Sequence, residues 1–160
     1  MRQRWSVWLW AFALSYGTAG VGRVLTDLGP WYAALRHPPW KPPDQVFGVM
    51  WSLIFTLAAI SGALAWRACT QADQRRRVAW LFGVNAVLNI AWSGLYFGLQ
   101  RPDWALAEVV LLWASIVALV LGLRRLSWTA SLLLLPYLGW VTLASGLNLA
   151  TVQLNGPFGG

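Results

Sequence analysis

Of the 160 residues in this chain, one is cysteine, one is histidine and five are acidic. Cys69 has no partner for an intrachain disulfide or a cysteine metal cluster. His37 is equally alone, so a two-histidine iron site within one subunit is excluded and no metal site is expected. Neither a carboxylate pair nor a nucleophile–base arrangement can be assigned, because His37 and Cys69 lie in separate loops. Charge as a whole is scarce, at 11% of residues against roughly 25% in soluble domains. Hydrophobic residues make up 58%.

Where charge is missing, the chain runs long. Stretches 5–22, 45–66, 78–100 and 126–160 hold no charged residue, and 104–123 holds only Glu108. A bilayer core about 30 Å thick needs about 20 apolar residues per helix, so each stretch is close to a span or longer. Backbone groups in lipid must be satisfied within the segment, and period-two patterning is absent, so the spans read as helices and not as a barrel. The expectation is an all-α integral membrane protein, a five transmembrane helix bundle with a long structured first loop. It forms a single domain over 1–160, with spans near 5–24, 44–66, 78–99, 104–123 and 128–149. Little is left for a soluble catalytic domain. The first span follows Arg2 and Arg4 as a signal peptide would, yet it exceeds the usual apolar core of about 7–15 residues and lacks a clear small-residue cleavage site, so it reads as a retained helix.

A net charge of +7 would point to nucleic acid in a soluble chain; here the arginines flank the spans, so no nucleic-acid partner is expected. Five crossings put Arg2, Arg4, Arg67, Arg75, Arg76, Arg77, Arg124 and Arg125 on one face and Arg23, Arg36, Lys41 and Arg101 on the other. The positive-inside rule then makes the N-terminus cytoplasmic in a bacterial inner membrane, with an outer-membrane location left open. Thirteen tryptophans accompany these charges, and those at 5, 8, 66, 80, 104 and 128 lie near span ends, where an amphipathic ring suits the interface.

The sizeable loop, 24–43, carries five of the eight prolines together with Trp31, Tyr32 and Trp40. Proline stops helices and narrows the unfolded ensemble, so this loop should be an ordered cover packed on the end of the bundle. Within the spans, Asn85, Asn89, Trp92 and Tyr96 share a face at steps of four, three and four; Tyr137, Trp140, Ala144 and Asn148 do so at three, four and four; Trp51 and Phe55 are four apart. Amides and indoles in hydrocarbon prefer a partner to lipid tails, so these faces turn inward. Spacing alone leaves open whether they serve interhelical packing or a ligand cavity. Glu108 reads either as a helix-start residue near the interface or as a proton relay, and Ala114, Ala118 and Gly122 either as a dimer seam or as packing within one subunit.

Several segments together resemble a known family: WYAALRHPPWKPP at 31–43, WSLIF at 51–55, LNIAWS at 88–93, and LPYLGWV at 135–141 followed by Leu147 and Asn148. They are similar, in order and across nearly the whole chain, to the signatures of the tryptophan-rich sensory protein and translocator protein family (TspO/MBR), also called the peripheral-type benzodiazepine receptor. The resemblance implies a homodimeric five-helix membrane receptor or sensor that binds protoporphyrin IX, haem-type tetrapyrroles and isoquinoline-carboxamide-like hydrophobic ligands beneath the first loop. By motif, Trp31, Tyr32, Trp40, Trp51, Phe55, Asn89, Trp92 and Trp140 line that pocket, with Ala144 one turn beyond. The resemblance also implies tetrapyrrole transport or light-dependent oxidative degradation as further roles, with Trp51 and Trp140 in the photochemical one.

Residue chemistry constrains how such a ligand binds. A macrocycle offers a π surface for indoles, and its propionates need cations, for which Arg36 and Lys41 stand among the loop aromatics. No obligatory cofactor is expected; porphyrin is a ligand, metal-free in preference to haem, because His37 is the lone histidine. The sterol pattern L/V-x-Y-x-K/R fails after Tyr137, which has no Lys or Arg in the next five residues, and is met only formally by Leu28, Tyr32 and Arg36 in the loop. The competing reading is a small proton-coupled drug or metabolite exporter, with Glu108 as its coupling residue.

Overall fold

The structure is a computed structural model that describes residues 2–158. Among these, every element is helical: α1 (Arg2–Leu25), α2 (Pro30–Ala34), α3 (Asp44–Ala68), α4 (Ala72–Ser93) running on through a π-helical turn (Gly94–Gly98), α5 (Pro102–Leu123), α6 (Trp128–Leu132) and α7 (Leu135–Asn155). Local chemistry explains the boundaries. Gln71 and Gln74 form a capping box, with Gln74 Oε1 accepting from the Gln71 backbone N–H at 3.2 Å, so α4 begins six residues before the expected span. Pro136, in the first turn of α7, lacks the N–H that would continue the hydrogen bonds of α6, so the helix is interrupted between α6 and α7 within the one apolar segment Trp128–Asn155, which contains the expected span 128–149.

α5 carries the most regular buried stripe. Ala105, Val109, Leu112, Ile116, Leu119 and Leu123 recur at alternating steps of four and three, and all are at most 2% exposed. Through this stripe α5 packs against α4 on one side and α7 on the other; α1 packs against α3 and α4, and α3 reaches α6 and α7. Small side chains let α3 approach closely, and Ser61 Oγ donates to the Ala130 carbonyl of α6 at 2.7 Å.

Outside this core the surface is greasy. Leu9, Leu14, Val24, Val87, Val110 and Leu111 are each at least 60% exposed, and no more than a third of the most apolar stretch of any candidate span is buried within the chain. Such a surface belongs in lipid, and the chain is a multi-pass membrane protein. Four segments among the described residues are long and apolar enough to cross: Asp44–Ala68, Ala72–Gly98, Pro102–Leu123 and Trp128–Asn155. The expected first span forms a helix of 24 residues but falls short in apolarity, because Trp5, Trp8, Trp10, Ser6, Ser15, Tyr16, Thr18 and three glycines dilute its leucine, valine and phenylalanine.

Candidate functional site

The connection between α1 and α3 is built as its prolines require. Pro30 opens α2, and the segment behind it folds back over the helix ends. Asn155 at the end of α7 holds it there: its Oδ1 accepts from the Arg36 N–H at 2.7 Å and its Nδ2 donates to the Arg36 carbonyl at 2.9 Å, a reciprocal clamp 119 residues apart in sequence. Trp40, half exposed, reaches α7 where a glycine makes room; a methyl group at Gly146 would stand 3.8 Å from Trp40 Cη2.

Beneath this cover lies a continuous group of rings. Tyr32 sits 5.1 Å from His37 and 5.7 Å from Phe97, Trp31 meets Tyr96 edge-on at 6.3 Å, and Trp92 lies 5.2 Å from Tyr96 and 6.0 Å from Phe97. The π-helical turn makes this possible, since its wider spacing presents the adjacent Tyr96 and Phe97 to the loop together. Lys41 Nζ stands over Tyr32 at 5.5 Å and Phe47 at 5.9 Å and is ion-paired with Asp44. Burial works against its charge, but hydrogen bonding to Asp44 and the neighbouring Tyr32 hydroxyl outweigh burial and raise its pKa. Burial, then the charge of Lys41, holds His37 below its ordinary value of 6.5, and its Nδ1 is buried with no partner. Burial raises the Tyr32 phenol.

A second group lies deeper, between α3 and α7. Trp51 stacks on Phe55 at 5.6 Å and meets Tyr137 edge-on at 6.2 Å, while Phe47 meets Trp140 at 5.2 Å. Trp140 is 7% exposed, and its indole N–H has no hydrogen-bond partner. Below it the intramembrane amides are satisfied: Asn89 Nδ2 donates to the Tyr137 hydroxyl at 3.0 Å, that hydroxyl donates to Asn85 Oδ1 at 3.2 Å, and Asn85 Nδ2 donates to Ser115 Oγ at 2.8 Å. Trp92 Nε1 donates to Asn148 Oδ1 at 3.2 Å. Against this background of paired donors, the Trp140 N–H stands out.

The expected pocket residues therefore divide. Trp31, Tyr32 and Trp92 join the loop-end rings; Trp51, Phe55 and Trp140 form the deeper group, with Ala144 half-buried one turn along; Trp40 rests on Gly146. Phe55 and Asn89 also face a cavity of about 580 Å³ between α1, α3 and α4 that extends away from the loop towards Trp66 and Val78. Of the two expected cations, Arg36 is exposed while Lys41 is engaged by Asp44. Gly122 of the small-residue stripe is used inside the subunit, since a methyl there would press on Leu81 Cδ1 at 2.9 Å, whereas Ala114 and Ala118 are exposed. Phe47, Phe97 and Asn155 belong to this end of the molecule without having been singled out. Phe47 was within reach, being one turn before Trp51 and two before Phe55 on the same helical face.

Comparison with known proteins settles the family. Residues 9–154 match the model of the TspO/MBR family. The chain belongs to the TspO/MBR family. Among its relatives, it is 37% identical to the tryptophan-rich protein TspO of Chlorobaculum tepidum, covering 89% of this chain and 90% of the relative. Identity to the tryptophan-rich sensory protein of Cereibacter sphaeroides is 30%, over 97% of this chain and 95% of that one. With the human translocator protein it is 30%, over 74% of this chain and 70% of the relative. The matched residues include the loop cover, the π-helical turn and both ring groups.

Proposed function

We propose that this chain is a five-span membrane receptor that takes a porphyrin, metal-free protoporphyrin IX foremost, between the deeper ring group and the proline-braced loop. The observation that carries the reading is the Trp140 indole N–H, buried against Phe47 with no hydrogen-bond partner among the described residues. An unmatched donor in an apolar site costs about 1–3 kcal/mol, a cost that a ligand with an acceptor at that point removes. The rings of Phe47, Trp51, Phe55 and Trp140 offer stacking surface to a macrocycle, and exposed Arg36 in the loop offers a cation to a propionate, with Lys41 sharing its charge between Asp44 and the ligand.

The fifth span in this reading is α1, whose 24 residues rise about 36 Å, more than the roughly 30 Å of hydrocarbon core. The eight arginines of the more basic face then favour a cytoplasmic N-terminus in a bacterial inner membrane. Pairing into a homodimer belongs to the same proposal, with the exposed Ala114 and Ala118 on α5 as the close-approach positions.

Titrating the purified protein with protoporphyrin IX, read by quenching of tryptophan fluorescence, tests the function directly. Saturable binding is expected, and Trp140→Phe, which keeps the ring and removes the donor, should weaken it roughly three- to tenfold, the worth of one hydrogen bond. Arg36→Gln should weaken the dicarboxylic porphyrin more than a neutral flat ligand. Absence of saturable binding, or unchanged affinity in Trp140→Phe, overturns the assignment.

A further inference from the structure

The cavity between α1, α3 and α4 lies at the opposite end of the molecule from the loop. At the loop end α1 and α4 touch, a methyl at Gly22 standing 3.6 Å from Ser93 Oγ. Further along, between residues 6–18 of α1 and 78–89 of α4, the space of about 580 Å³ keeps them apart. Trp10 and Leu14 at its edge are more than two-thirds exposed, so the space adjoins the lipid-facing surface. From Val78 to Asn89 it extends eleven residues along α4, about 16 Å, which is the depth of one leaflet of a roughly 30 Å hydrocarbon core. The walls are mainly apolar, with Ser6, Ser15 and Thr18 of α1 as polar exceptions, and the deep end stops at Asn85, Asn89 and Tyr137. At the shallow end Arg75 stands 5.9 Å from the ring of Trp66, itself a wall residue, and its guanidinium forms no salt bridge among the described residues, whereas Arg76 pairs with Asp73 and Arg77 lies against α5 beside Gly122.

An apolar slot one leaflet deep with a cation at its headgroup end has the shape and charge of a lipid site. We propose that this cleft holds one acyl chain of an anionic phospholipid, inserted between α1 and α4 from the leaflet that Arg75 faces, with the phosphate-bearing headgroup at Arg75. A zwitterionic lipid offers the same chain but carries its own cation, so the preference for net negative charge rests on Arg75. The cleft meets the deeper ring group at Phe55 and Tyr137 but is not lined by Trp51 or Trp140, and the proposal does not require that porphyrin bind there.

The test uses the full chain reconstituted in phosphatidylcholine vesicles containing a phosphatidylglycerol whose acyl chain carries a diazirine, with a matched phosphatidylcholine probe as comparison. After illumination, adducts mapped by mass spectrometry should fall on cleft residues of α1, α3 and α4, several-fold more from the anionic probe. Gly83→Phe fills the cleft at a position where a new side chain meets nothing within 4 Å, so it should fold normally and lose these adducts while adducts on the outer face of α5 persist. Arg75→Gln should bring labelling by the two probes to the same level. Equal labelling by both probes in the unmodified chain, cleft adducts that survive Gly83→Phe, or a diazirine fatty acid whose labelling phosphatidylglycerol does not compete away, each overturns the proposal. Protoporphyrin titration of Gly83→Phe separates the two sites: unchanged porphyrin affinity supports a distinct lipid cleft, and loss of porphyrin binding with displacement of the lipid probe by porphyrin overturns it.

Discussion

Single side chains decide how firmly the loop is held. Asn155 satisfies both backbone groups of Arg36, and each such bond contributes on the order of 1 kcal/mol net. Asn155→Ala should therefore loosen the loop by about 1–2 kcal/mol, seen as faster proteolysis between Leu28 and Trp40 with the helices intact by circular dichroism. His37 adds a dependence on pH. Its pKa is below the ordinary 6.5 when the loop is closed, through burial first and the charge of Lys41 second, so the open loop binds the proton more readily. The contribution of neutral His37 to closure is fully present above about pH 6.5 and is lost progressively as pH falls from there through the lowered folded value. Proteolysis of the loop should accelerate on acidification across that window, and His37→Phe should flatten the response; a flat profile in the unmodified protein would contradict the account. Glu108 poses the opposite question, because both of its oxygens are buried without partners. Glu108→Gln keeps the shape and removes a charge that costs energy in hydrocarbon, so thermal stability should hold or rise. A clear fall in Tm would mean that Glu108 has a partner that requires the carboxylate.

Element boundaries show what a sequence discloses and where it stops. Charge-free runs place the helix ends to within three residues except at the start of α4 and the end of α7, because hydrocarbon tolerates no other backbone state. The early start of α4 was hidden: the three arginines at 75–77 read as loop, while the structure uses them as helix behind the Gln71 and Gln74 caps. Gln74→Ala should accordingly cost about 1 kcal/mol and fray the first turn of α4, measurable as faster amide exchange at Ala72–Arg75. The π-helical turn was equally invisible, since Gly94–Gly98 carries no signal that fixes one hydrogen-bond register over another. For the candidate site, the helical faces with Asn89, Trp92 and Trp140 were legible because four-and-three spacing survives folding. Which rings touch was not: Phe47, Phe97 and Asn155 enter through contacts between residues more than 40 positions apart or through the register of that turn.

At the scale of the whole molecule, α1 decides the topology. The four segments from Asp44 to Asn155 are long and apolar enough to cross, so the behaviour of α1 sets whether the two ends of the chain lie on one side of the membrane or on opposite sides. Composition alone ranks α1 below the rest, yet its length is sufficient, its tryptophans suit the interface, and it packs along α3 and α4 with Ser15 Oγ donating to the Phe55 carbonyl at 2.6 Å. Replacing Cys69, the single cysteine, by alanine gives a background for labelling intact cells with a membrane-impermeant maleimide. Asp27→Cys should react from outside, whereas Gln3→Cys and Thr70→Cys should react only after permeabilisation. Reaction of Gln3→Cys and Asp27→Cys from the same side would reduce the crossings to four, move the two arginines ahead of Trp5 to the less basic face, and remove the cytoplasmic N-terminus that the arginine distribution predicts.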